Sequence, residues 1–71
     1  MSLVLGIDPG SRVTGYGVID VQGNRLSYVD CGCIRSEGGA LPARLKKIFD
    51  GVLQLVETHQ PSQVAIEEVF V

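Results

Sequence analysis

Cysteine is scarce in this 71-residue sequence, which holds only Cys31 and Cys33. Two thiols one residue apart are too few for a disulfide framework and poorly placed to pair along one strand. That argues against a small secreted domain held by bridges and points to a cytoplasmic chain. Long hydrophobic runs are missing as well. The N-terminus "MSLVLGID" has neither the basic head nor the apolar stretch of a signal peptide. No segment approaches the roughly 20 apolar residues of a membrane-spanning helix, so no membrane association is expected. Positive charge is in deficit: six Lys and Arg against eight Asp and Glu leave a net charge of −2. Such a balance is a poor electrostatic footprint for a binder of polyanions. Low-complexity tracts, repeats and linkers are absent too.

What is present is globular in composition, 45% apolar, and amounts to one domain at most. Chains this short usually need a bridge, a metal or a partner to hold a core, so an oligomeric or incomplete unit is expected. Leu3 to Asp8 reads as a buried strand closed by the turn Asp8-Pro9-Gly10. Val13 to Val21 reads as a second strand, with Gly15 and Gly17 on one face. Two glycines there imply close approach of a ligand or another backbone. Gln22-Gly23-Asn24 is a hairpin turn into a third strand, Arg25 to Arg35. A loop from Ser36 to Ala40 leads to a helix with Pro42 in its first turn and an apolar stripe of Leu45, Ile48, Phe49, Val52, Leu55 and Val56. Gln60-Pro61-Ser62 stops that helix, and "SQVAIEEVFV" reads as a fourth strand.

The order β-β-β-α-β predicts an antiparallel meander and a helical crossover that returns strand four parallel to strand one. Asp8 and Glu67, 59 positions apart, then fall at the carboxyl ends of neighbouring parallel strands. Ligands bind at that edge in open α/β sheets. Two converging carboxylates repel each other, and a hard divalent cation, Mg²⁺ or Mn²⁺, relieves the repulsion. A rival reading stands beside it: Asp8 caps its turn, while Glu67 and Glu68 are solvated at a strand end. The glycine-rich turn after Asp8 also suits a phosphate, but it lacks the P-loop lysine and any G-x-G-x-x-G. Cys31 and Cys33 share a strand face and are expected as core or half-buried thiols rather than zinc ligands. His59 is expected partly packed at the helix end, and Lys46-Lys47 solvated. Arg12 is the cation placed nearest the carboxylates. Phe70 serves either as core or as a plane for stacking a base.

The segments "LGIDPGSRVTGYGVI" and "AIEEVF", with "CGCIR" and "LPARLKKIF" between them, resemble the RuvC-type Holliday junction resolvases across the whole chain. The resemblance implies an RNase H-like fold and metal-dependent hydrolysis of DNA phosphodiesters at four-way junctions, in recombination and repair. It implies that Asp8 and Glu67 are two of four acidic ligands for a pair of Mg²⁺ ions, and it selects Glu67 over Glu68. It further implies that Phe70 engages an unstacked base, and that the intact protein is a homodimer working with junction-binding and branch-migration proteins. The family's two later aspartates and most of its basic surface lie beyond these residues. Residues 1–71 are therefore expected to be the N-terminal part of one nuclease domain, inactive alone. Two other readings stand beside this one. An ATP-binding domain of the actin and sugar-kinase type shares the topology and a similar first loop, and a nuclease-like module would bind nucleic acid without cutting.

Overall fold

Alternation of Leu3, Leu5 and Ile7 with Val4, Gly6 and Asp8 builds the first strand, β1 (Ser2–Asp8), whose odd positions turn toward the core. The computed structural model describes residues 2–10 and 12–67. β-branched residues and tyrosine extend β2 (Val13–Gln22), and the chain reverses at Gly23-Asn24 into β3 (Arg25–Arg35). Gly23 sits at φ 60°, the conformation that a two-residue hairpin turn requires of its first central residue. The helix α1 (Leu41–His59) follows, then β4 (Gln63–Ile66). Gln60 ends the helix in the left-handed region at φ 48°, and its N–H donates to the Val56 carbonyl at 2.8 Å. Pro61, next in sequence, cannot continue the helical bonding.

The strands form one sheet in the order β3-β2-β1-β4. β1–β2 and β2–β3 are antiparallel, while β1–β4 is parallel. This is the predicted β-β-β-α-β arrangement. The parallel ladder is fastened at both ends. Ser62 donates its N–H to the Leu3 carbonyl at 2.9 Å, and Glu67 donates its N–H to the Ile7 carbonyl at 2.8 Å.

The two faces of the sheet differ. On one, Leu5, Ile7 and Val18 are buried and pack with Leu3, Tyr16 and the helix residues Val52, Leu55 and Val56. That is a small core for a domain. The other face has no covering layer among the described residues, and the whole is 16 Å deep along its shortest axis. Cys31 and Cys33 pair with Gly17 and Gly15 on this open side and are exposed. The expectation of core or half-buried thiols is therefore corrected: the one helix lies against the opposite face.

The helix stripe also needs correction. Leu45 and Phe49 are 56% and 65% exposed rather than packed on the sheet. Leu41, Leu45, Phe49 and Leu53 recur every fourth residue and form a ridge on the helix flank. The helix lies over the β1–β2–β3 side, so this ridge passes the sheet by. Val64 and Ile66 on β4 share the helix-side face by register, yet they too are exposed.

A bulge between Val18 and Ile19 shifts the β2–β3 register. Strict alternation would set Tyr28 on the same face as Asp30. The bulge instead pairs Tyr28 with Ile19, on the open side.

Candidate functional site

β1 runs out at Asp8 because Pro9 and Gly10 turn the chain. A Cβ at Gly10 would collide with the Val13 carbonyl oxygen, so only glycine permits this tight return into β2. β4 stops beside the same point. Its register pairs Ile66 with Ile7, and the Glu67–Ile7 hydrogen bond carries the ladder one residue further. Asp8 and Glu67 are thereby level on adjacent parallel strands, on the open face, and both are exposed.

The rows run on across the sheet. Asp8 pairs with Gly15 and Gly15 with Cys33; Ala65 pairs with Gly6, Gly6 with Gly17, and Gly17 with Cys31. Glycine and alanine floor a trough with the two carboxylates at one end, and the rows continue past it to Cys31 and Cys33 on β3. A pocket of about 550 Å³ occupies it, lined by Asp8, Glu67, Gly6, Gly15, Gly17 and Ala65 among others. A Cβ added at Gly17 would meet nothing within 4 Å. These glycines therefore leave space rather than satisfying a contact among the described residues.

Neither Asp8 nor Glu67 is in an ion pair or side-chain hydrogen bond with another described residue. Two free, exposed carboxylates in one open pocket fit a hard divalent ion. Mg²⁺ keeps several waters and binds through one or two carboxylates plus substrate phosphates. No group of three His, Cys, Asp or Glu comes together among the described residues, so those residues offer two ligands and no fuller set.

The other sequence-predicted residues fare differently. Arg12 is exposed and does not line this pocket; its carbonyl accepts hydrogen bonds from the Ser36 N–H at 2.9 Å and the Ser36 hydroxyl at 3.3 Å. Phe70 and Glu68 lie outside the described residues. His59 is mostly buried at the helix end, as expected, and stands 3.2 Å from the Asp30 carboxylate. Lys46 is solvated and paired with Asp50 at 2.8 Å.

Sequence reasoning missed that Asp30, together with Tyr16, joins β2, β3 and the helix end. Burial pushes the Tyr16 hydroxyl above its ordinary pKa, helped by the negative charges of Asp30, Cys31 and Cys33 and by a hydrogen bond to Asp30. The available signal was alternation, which sets Tyr16, Asp30 and Ile34 on the helix face.

Comparison with known proteins agrees with this geometry. The family model described as crossover junction endodeoxyribonuclease RuvC matches residues 4–71. A crossover junction endodeoxyribonuclease RuvC of Shewanella sp. (strain MR-4) is 54% identical over 70 residues, covering 99% of this chain and 40% of that protein. Its counterpart in Shewanella amazonensis is 56% identical with the same coverage. The chain thus spans about 40% of the length of the curated relatives it matches. Among solved structures, Thermus thermophilus RuvC in complex with a Holliday junction substrate superposes with a TM-score of 0.87 at 29% identity, over 100% of this chain and 44% of that one. The Aquifex aeolicus PPX-GPPA enzyme gives a TM-score of 0.70 at 14% identity, over 92% of this chain and 25% of that one, a likeness of fold alone. The mixed sheet with β4 parallel to β1 is RNase H-like, and no described helix is long and apolar enough to cross a membrane. By its matched residues and by its fold, the chain belongs to the RuvC family of crossover junction endodeoxyribonucleases.

Proposed function

We propose that these residues form the N-terminal part of a structure-selective endonuclease that cuts four-way DNA junctions by metal-dependent phosphodiester hydrolysis. The observation that carries the reading is the register-level pairing of Asp8 with Glu67 on one face, in a chain of this family. Asp8 and Glu67 would hold Mg²⁺ or Mn²⁺. When bound, the divalent ions lower the pKa of a ligated water and stabilise charge on the leaving oxygen. The carboxylates keep their donor atoms available because no lysine or arginine among the described residues neutralises them. The glycine floor leaves room for a sugar–phosphate backbone to descend toward them. Arg12 would contact a phosphate, and Phe70 would stack on an unpaired base.

A four-way junction is close to two-fold symmetric, so a homodimer would offer two such sites to two strands. Branch-migration proteins would act on the same junction, in the cytoplasm. The 71-residue chain, with two acidic ligands in place, is expected to be inactive alone. The ATP-binding alternative is not favoured, since the relatives reported above carry the endodeoxyribonuclease description.

The test uses a full-length parent containing these residues. Asp8→Asn and Glu67→Gln should each abolish Mg²⁺-dependent junction cleavage, while gel-shift affinity for the junction stays within a few fold. Cleavage at the parental rate by either variant would remove that residue from the site. A parent that binds junctions but cuts none of them when Mg²⁺ or Mn²⁺ is supplied would instead favour the non-catalytic reading.

A further inference from the structure

The dithiol on β3 has no part in the reading above, and its setting is specific. Cys31 and Cys33 are free, exposed and on the open face of the sheet, opposite Gly17 and Gly15. No side chain stands across from either thiol on β2, because both partners are glycine. The bulge brings Tyr28 to the same side, and its hydroxyl donates to the Cys31 sulfur at 3.7 Å. We propose that Cys31 and Cys33 form a chelating site for a soft, low-coordinate cation of the Cu⁺ class.

Strand geometry supports a chelate and disfavours a bridge. Residues two apart on a strand have Cβ atoms about 7 Å apart and side by side. A disulfide needs a Cβ separation of about 3.5–4.5 Å, which an extended strand does not provide. Thiolates leaning toward one another along the strand reach roughly 4 Å between sulfurs, the span of two metal–sulfur bonds of about 2.3 Å. Soft thiolates select soft ions, whereas the carboxylates of Asp8 and Glu67 select hard ones. Asp8, Gly15 and Cys33 are consecutive in one row, so the soft and hard sites lie two strand spacings apart, about 10 Å.

Binding is a proton exchange. Each thiol releases its proton to solvent, two sulfur–copper bonds form, and the site carries one net negative charge. Copper stays Cu⁺ and no electron moves. The Tyr28 hydroxyl, already a donor to Cys31, remains available to the thiolate.

The experiment is an anaerobic titration of the 71-residue chain with Cu⁺ buffered by a chromogenic Cu⁺ chelator. Cys31→Ser, Cys33→Ser and Asp8→Asn are run beside it. One Cu⁺ per wild-type chain is expected, held at least ~10-fold more tightly than by either cysteine variant, because the second thiolate binds intramolecularly. Asp8→Asn should bind as wild type, and excess Mg²⁺ should not displace the copper. The melting temperature should rise with Cu⁺ in the wild type and not in Cys33→Ser, since a site formed by the folded strand stabilises the fold. Should serine alter the fold, Cys31→Ala and Cys33→Ala take its place. Two Cu⁺ per chain, equal affinity in wild type and single variants, or tight binding without a rise in melting temperature would each overturn the proposal.

Discussion

Thr14 is fully buried, yet its hydroxyl has no hydrogen-bond partner among the described residues. A buried unsatisfied hydroxyl is costly, and valine has nearly the same shape without it. Thr14→Val should therefore raise stability by about 1 kcal/mol, visible as a higher melting temperature by circular dichroism. Gly17 poses the opposite case. Its added Cβ meets no atom within 4 Å, and glycine within a strand is entropically unfavourable, so Gly17→Ala should leave the chain as stable or slightly more so. The methyl group nevertheless enters the trough beside Asp8 and Glu67. In a full-length parent, cleavage by Gly17→Ala should fall at least several fold while the melting temperature holds. A parallel loss of stability and activity would make Gly17 a packing residue instead.

Tyr16 on β2, Asp30 on β3 and His59 at the end of α1 join three elements at one point. Burial, then the nearby negative charges, favours the neutral phenol of Tyr16 in the folded chain. A raised folded pKa contributes stability that is whole below the unfolded value of about 10 and is lost as pH rises through the folded value. The melting temperature should thus fall in alkaline solution. Tyr28, held up mainly by its hydrogen bond to Cys31, adds to the fall. Tyr16→Phe should make the decline shallower, measured by melts from about pH 9 to pH 12. An unchanged slope would mean that Tyr16 does not couple to folding. The Lys46–Asp50 pair is different: it is exposed at spacing i,i+4 and contributes little.

With three buried apolar residues in the core among the described residues, and a ridge of four exposed ones on the helix, the fold has little stability to spare. β4 adds an unprotected sheet edge flanked by exposed Val64 and Ile66. The 71-residue chain should self-associate as concentration rises, read as an increasing weight-average mass by sedimentation. Phe49 is 65% exposed, so Phe49→Lys should reduce that association without unfolding the chain. A monodisperse wild-type monomer at high concentration would show that the ridge is not adhesive.

Local physics made the elements legible in the residues. Period-two alternation gave the strands, Gly23-Asn24 the hairpin, and Pro42 and Pro61 the limits of the helix. The motifs about Asp8 and Glu67 made the family legible as well, because they bracket a crossover whose parallel return sets both residues at one sheet edge. Other properties depended on which face each residue met. The stripe of α1 was visible in its spacing, but only the placement of the helix over β1–β3 left Leu45 and Phe49 in solvent. Alternation alone set Tyr28 beside Asp30, until the bulge turned it to the cysteines. The sequence by itself determined the order of elements, the two carboxylates and the family. Tertiary structure decided the open face, the glycine trough and the exposure of the thiols, because the one described helix packs on the face of Leu5, Ile7 and Val18 and the bulge redirects Tyr28.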